Sequence, residues 1–387
     1  MLKSLLDSPE IGQLIEELRA TRWTGRPGYP IRTMIGLALA KSLYAIPTWT
    51  KTVALVADHW KLQRVLGCEG SPPSVWSAYR FGAKLRENAP MVERCIDSVV
   101  AGLKERLPSY GTDLAIDASD MSAYANGQRY LSKNGPERER YSDTDASWGH
   151  RSAVSTRKGG GFYGYRLHAA VCTATDLPVA WTVETARDHE TRFVAPLLDT
   201  TKRRGALADT AALDKGYDNN RVYTECMERD CLPLIPLRAT PDVKRGEDAP
   251  PSCSHGEWTF AGSDRKRGAS KWRCPTGECK PASTWIKADR LHTLIPRLSK
   301  RWKASYRKRA AVEREFGRLK NQWGLKPLRV RGLARVRLHA DLTILTKLAC
   351  ALAKARAATA RPPRARGRSR AESPQVATRS RRAVFRE

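Results

Sequence analysis

No apolar run in these 387 residues is long enough to cross a bilayer: the two strongest, IGLALAKSLYAI and LTILTKLACALA, are each interrupted by Lys. Cysteine is scarce. The nine that occur are odd in number and thinly spread, which argues against a disulfide framework and fits a reducing cytoplasm. The opening MLKSLLDSPEIG meets an acid too early for a secretion signal, so the cytoplasm is the expected compartment, with no membrane partner. No internal repeat is present. Acids are also in short supply, with 40 Asp and Glu against 69 Lys and Arg, a net charge of +29. A basic surface serving solubility alone rarely carries such an excess, and a polyanionic partner, most often nucleic acid, is the expectation. At 41% apolar residues the chain can still build a substantial core, which excludes wholesale disorder.

Apolar spacings of three and four mark residues 1–105 as a small helical domain: EIGQLIEELRATRW, IRTMIGLALAKSLYAI, TKTVALVADHWKLQRVLG and SVWSAYRFGAKLREN. GRPGYP, IPTW and GSPPS break them, and Ser74 after Pro-Pro is an expected N-cap. The third and fourth of these helices are spaced loosely for a helix-turn-helix. From about residue 106 the texture changes. TDLAIDASDM reads as a short strand, and FYGYRLHAAVCTA and LPVAWTVETA as a hairpin joined through TDLP. A helix over HETRFVAPLLDTTKRRG, a strand DTAALD, a helix NNRVYTECMERD and a strand CLPLIPL follow. Such an order predicts an α/β fold with a mixed sheet and flanking helices over residues 106–330, carrying an insertion at about 237–300. A C-terminal helix is expected over 331–360. Residues 361–387, rich in Arg, Pro and Ser, are expected to be a disordered tail with non-specific DNA affinity.

Three acids sit where chemistry collects. Asp117 closes the strand LAID and Asp214 closes AALD, and the C-terminal edges of strands are where ligands gather. Glu313 lies in YRKRAAVEREFGRLK, read as one helix. On it Tyr306, Arg309, Glu313 and Lys320 share a sector beside the apolar stripe Val312, Phe316, Leu319 and Trp323. Each acid alone has an ordinary reading as a cap or turn residue. Converging, they would repel one another without cations between them, and hard oxygen donors favour Mg²⁺ or Mn²⁺. Two such ions suit phosphodiester cleavage. Asp120, Asp218 and Glu315 are close rivals. Alternation and helix pitch assign Asp120 to the loop beyond the strand, Asp218 to the N-cap of the next helix, and Glu315 to the far side of the stripe.

AIDAS at Asp117, FYGYRLH at 162–168, LDKGYD at 213–218 and the pattern Y-x2-R-x3-E-x6-K together resemble bacterial insertion-sequence transposases of the DDE class, which have an RNase H-like catalytic fold. The likeness extends to about residue 355, including PPSVWSAYRFGAKL in the helical domain. It implies that Asp117, Asp214 and Glu313 hold the metal ions, that Arg309 and Lys320 face DNA phosphates, and that Tyr306 orients the site or the DNA. It further implies binding of terminal inverted repeats, cleavage at their ends and strand transfer into target double-stranded DNA, by a dimer or higher oligomer. Two other readings stand beside it: a metal-dependent nuclease on the same scaffold, and a DNA-binding relic without chemistry.

Cys253, His255, Cys274 and Cys279 form C-x-H and C-x4-C inside the insertion. Thiolate and imidazole suit zinc, but the spacings are irregular, and no structural zinc is expected. His168 in YRLHAAV is expected to be a satisfied core residue, and neither it nor His189 is given a role. Trp148 and Trp181 are expected to pack.

Overall fold

The computed structural model describes residues 1–21, 28–125, 142–151, 158–238 and 250–359. The tail from 361 lies outside them. Helices occupy the first part of the chain: α1 (Leu2–Leu6), α2 (Pro9–Ala20), α3 (Ile31–Leu43), α4 (Trp49–Asp58), α5 (Trp60–Leu66), α6 (Val75–Glu87) and α7 (Ala89–Arg106). Ser74 caps α6 as expected, its hydroxyl accepting the Ser77 amide at 3.2 Å. The single helix expected over 50–67 is two. The His59 ring takes the Leu55 carbonyl at 2.9 Å, the acceptor a continuous helix would give to the His59 amide, and the chain turns into α5. Helix α3 is buried on nearly all sides, at the centre of the bundle. None of the described helices is long and apolar enough to cross a membrane.

The sheet follows: β1 (Asp113–Ser122), β2 (Ser147–Arg151), β3 (Gly160–Cys172), β4 (Pro178–Thr185), α8 (Val194–Arg203), β5 (Thr210–Ala212), α9 (Asn220–Met227) and β6 (Leu232–Leu234). Its order is β2-β3-β1-β5-β6, with β4 also paired to β3. Strand β1 runs antiparallel to β3 and parallel to β5, which is parallel to β6. This is the mixed sheet expected from the element order, in the RNase H-like arrangement that the resemblance implied. Strand β3 is long enough to pair with β4 over Tyr165–Val171 and with β2 over Gly160–Gly164. Strand β2 was not legible, because SWGHR is short and lies in a polar, Gly-rich stretch. The expected hairpin turns through Asp176, whose φ of 55° an Asp tolerates. Gly164 in FYGYRLH has a packing reason. A Cβ there would lie 2.2 Å from the Met121 carbonyl oxygen, so any larger residue would push β3 from β1.

The insertion carries β7 (Ser252–Cys253), β8 (Gly256–Glu257), β9 (Thr259–Asp264), β10 (Ala269–Arg273) and β11 (Ser283–Lys287), as a two-stranded ribbon and a three-stranded sheet ordered β11-β10-β9. Then come α10 (Lys300–Arg307), α11 (Ala310–Gln322) and α12 (Leu333–Thr359). Helix α12 packs on α7, α3 and β4, so one apolar core runs from Leu5 in the first helix through the sheet to Leu352.

Where α12 meets β4, the Trp181 indole donates to Asp341 at 2.8 Å and the Arg204 guanidinium covers its ring at 4.6 Å. Trp181 therefore packs, as expected. Burial raises the Asp341 carboxyl to about 6, although Trp181, Arg204 and Arg337 favour its charge and Glu93 opposes it. The folded chain thus holds this proton more tightly than the unfolded chain, and ionising it costs stability as pH rises from about 4 to about 6. Asp341→Asn keeps the acceptor for Trp181 and removes that cost. Denaturant midpoints across this window should show the variant gaining on the wild type by on the order of 2 kcal/mol.

Candidate active site

Strand β1 carries the first acid differently from expectation. It does not end at Asp117 but continues to Ser122, because β3 pairs with it residue by residue from Leu114 to Ser122. The exposed edge lies on the other side. Pairing with β5 stops at Ala115↔Ala212, and the same parallel register continued two residues sets Asp117 beside Asp214. Asp120 is correspondingly in the strand, not in a loop. Three residues on from Asp117, it lies on the opposite face, where Arg166 (3.4 Å) and Arg151 (3.8 Å) meet it.

Asp214 follows β5 and caps the turn Lys215–Tyr217, its Oδ1 accepting the Gly216 amide at 2.7 Å. Tyr217 is fully buried and anchors that turn. Asp218 corrects the expectation of a cap: Asn219 caps α9, through the Arg221 and Val222 amides. Asp218 is instead a buried tie. It receives two bonds from Arg290 (3.0 and 2.9 Å), the Arg238 amide (2.8 Å) and the Tyr223 hydroxyl (3.2 Å), holding the base of the insertion to the sheet.

The third acid comes from a helix that is not continuous. YRKRAAVEREFGRLK divides between α10 and α11 at Lys308 and Arg309. The join is short, with Arg309 N to Tyr306 O at 2.9 Å and Val312 N to Arg309 O at 3.1 Å, so direction is kept while the turn tightens. Both residues at the join reach β1: Lys308 to Asp113 at 3.3 Å and Arg309 to Asp117 at 3.0 Å. The second arm of the Arg309 guanidinium pairs with Glu313. Arg309 thus bridges two of the three acids. Tyr306 stacks on Trp302 with ring centroids 4.7 Å apart, and Lys320 bonds the Ser119 hydroxyl, two residues along β1 from Asp117 on the same face. All six residues singled out in the sequence therefore border one sheet edge. Glu315 does not: its side chain is fully buried on the far side of α11, paired with Lys347 of α12, whereas the Glu313 side chain is 57% exposed.

Burial raises the Asp117 carboxyl to about 7; Arg309 and the Ala118 amide oppose this, while Asp214 and Glu190 add to it. Glu190 was missed by sequence reasoning. It opens the 3₁₀ turn Glu190–Phe193, pairs with Arg166 at 3.3 Å, and is itself raised by burial, with Asp214 and Asp120 contributing. An acid on one turn of an irregular helix carries no periodic signal. His168 is buried as expected but not satisfied: neither ring nitrogen has a hydrogen-bond partner among the described residues, the Phe193 ring lies 4.0 Å away, and burial lowers its pKa to about 3, keeping it neutral.

The donor set suits hard divalent cations. It consists of carboxylate oxygens with no sulfur or imidazole among them, and in this structure a guanidinium already occupies the cationic position between Asp117 and Glu313.

A second surface is not lined by any of these acids. A cleft of about 540 Å³ between the helical region and the start of α12 is lined by Trp76, Tyr79, Arg80, Arg329, Arg331 and Arg335. Trp76 is 75% exposed. Cations interleaved with exposed aromatics suit a nucleic-acid backbone and its bases.

A mixed sheet of this order, with one acid within β1, a second just past the adjacent β5 and a third on a facing helix, defines an RNase H-like scaffold. The chain belongs to the Transposase DDE domain family, whose profile matches residues 110–346. No curated protein matches it. Among solved structures, a piggyBac transposase synaptic complex with hairpin DNA aligns over 94% of this chain and 82% of its own, at 10% identity and a TM-score of 0.36. That likeness is too distant to bear on function.

Proposed function

We propose that this protein is the transposase of an insertion sequence, binding the terminal inverted repeats, cutting at their ends and joining them to target DNA. The observation that carries the reading is the meeting of Asp117, Asp214 and Glu313 at one sheet edge, with Arg309 bridging two of them. These three acids would hold two Mg²⁺ or Mn²⁺ ions. When bound, such ions supply a nucleophilic water at neutral pH and charge stabilisation for the leaving oxygen. The chain's own residues do the rest. Arg309, held by Asp117 and Glu313 here, and Lys320, held at Ser119, offer phosphate-binding cations on either side of the acids. Tyr306, fixed by its stack on Trp302, orients Arg309. The helices through residue 105, with the cleft around Trp76, form the DNA-binding part, and a dimer or higher oligomer brings two ends together.

Incubation of purified protein with Mg²⁺ and DNA carrying the flanks of its own gene is the test. Joined products are expected. Cut-only products would make it a nuclease, and shifted but intact DNA a binder without chemistry. Binding should weaken steeply with salt, because a net charge of +29 makes phosphate neutralisation the main source of affinity. Arg80→Ala with Arg331→Ala, two lining cations of the cleft, should lower the slope of log affinity against log salt by about two. An unchanged slope would place the DNA elsewhere.

A further inference from the structure

The strands of the insertion bury very little. Between Pro250 and Ala288 only Ala269, Ser270, Trp272 and Cys274 are buried, and five short strands cannot hold a fixed shape on so small a core. Units below about 40 residues usually need a disulfide, a metal or a partner. The four residues whose sequence spacing argued against a metal are brought together at one end of this unit. Cys253 ends β7, His255 lies in the turn to β8, Cys274 follows β10, and Cys279 lies five residues further on. Their ligand atoms all fall within 4.8 Å of one another.

We propose that Cys253, His255, Cys274 and Cys279 form a structural zinc site that staples the insertion. The distances carry it. Tetrahedral zinc, with bonds of about 2.3 Å to sulfur and about 2.0 Å to nitrogen, requires S···S edges of about 3.8 Å and S···N edges of about 3.5 Å. The Cys253 and Cys274 sulfurs are 3.8 Å apart, and His255 Nδ1 lies 3.7 Å from both the Cys274 and the Cys279 sulfur. Three thiolates and an imidazole are donors suited to Zn²⁺ and unlike the all-oxygen acids of the catalytic edge. The surroundings fit as well. The other ring nitrogen of His255 faces the Glu278 carboxylate at 3.4 Å, an arrangement that fixes the tautomer and aims Nδ1 at a metal. The Thr276 hydroxyl, 3.5 Å from the Cys274 sulfur, is placed to donate to a thiolate. The other six cysteines are buried and do not belong to this cluster. Binding takes up neutral imidazole and three thiolates, so the thiol protons leave to solvent.

What the staple holds is a cationic face: Arg267 and Lys271 lie over the Trp285 ring at 4.9 and 5.7 Å, on β10, β11 and the turn between β9 and β10. The base of the same unit is tied to the catalytic sheet through Arg290 and Asp218.

Full-length protein reconstituted with Zn²⁺ under reducing conditions, dialysed and analysed by inductively coupled plasma mass spectrometry is expected to retain one zinc per chain. Asp117→Asn should retain it equally, and Cys274→Ser should lose it. Glu278→Gln should keep the site with affinity weakened about 10–100-fold. Cobalt substitution of the wild-type protein gives an independent readout, because thiolate-to-cobalt charge-transfer absorption cannot arise from the carboxylates. It decides the matter even if Cys274→Ser fails to fold. Limited proteolysis of the zinc-loaded protein should spare residues 250–288 until the metal is chelated. Folded protein that takes up no zinc, zinc unaffected by Cys274→Ser, a cobalt spectrum without thiolate bands, or a Cys253–Cys274 disulfide in reduced preparations would each overturn the proposal.

Discussion

Asp117→Ala, Asp214→Ala and Glu313→Ala are each expected to lower Mg²⁺-dependent cleavage of element-end DNA by at least about 10²–10³-fold, while binding of the same DNA persists. The size of the loss follows from what a carboxylate at this edge does. It holds cationic charge where the nucleophile forms and where the leaving oxygen develops charge, so its removal takes away both forms of stabilisation together. Binding persists because each substitution removes a negative charge from a strongly basic protein. Asp120→Ala is the control, since Arg166 and Arg151 hold that side chain on the opposite face of β1, and cleavage should remain measurable. Gel assays of binding and cleavage on the same preparations separate the two effects. Full cleavage by Glu313→Ala, or loss of DNA binding with any of the three, would remove these acids from the proposed role.

Glu315 is the second large effect, and it is a matter of stability. Its side chain is fully buried and paired with Lys347, itself nearly buried, in the seam between α11 and α12. Burial raises the Glu315 carboxyl to about 7 and lowers the Lys347 ammonium, so both members are driven toward their neutral forms. Glu315→Ala would leave a cavity and an ammonium with no counter-charge in the core, at a cost of about 3–5 kcal/mol. Replacing both with apolar side chains, Glu315→Leu with Lys347→Met, should recover most of that loss, because no buried charge is then left alone. Urea denaturation of the two single variants and the double variant measures the coupling. Near-wild-type stability of Glu315→Ala would show that the pair holds nothing together. Any fall in cleavage by Glu315→Ala should track its folded fraction and recover in the double variant, which a metal ligand would not allow.

Some of this protein was determined by the sequence itself. The helical periods, the hairpin through TDLP and the Ser74 cap depend on neighbours within a few residues, and the structure reproduces them. The alternation of αβ elements predicted the mixed sheet. The face that Glu313 occupies on its helix, apart from Glu315, was legible because helix pitch is local geometry, and the β1–β5 pairing, Ala115 opposite Ala212, is parallel as the element order implies.

Other features depend on contacts between distant segments, and these only the tertiary structure decided. Strand β1 runs past Asp117 because β3 pairs with it, which no pattern within TDLAIDASDM specifies. The helix divides at Arg309 where Lys308 and Arg309 reach Asp113 and Asp117, almost two hundred residues away in sequence. Asp218 is a buried tie because Arg290 arrives from the far side of the insertion, and Glu315 is one because α12 supplies Lys347. Glu190 joins the acids only through its place beside Arg166. Irregular cysteine spacing shows no metal site along the chain, whereas the strands bring the ligand atoms of those same residues within 4.8 Å of one another. A charge deep in a protein is stable only with its partner, and the partner's position is fixed by how the chain folds back on itself.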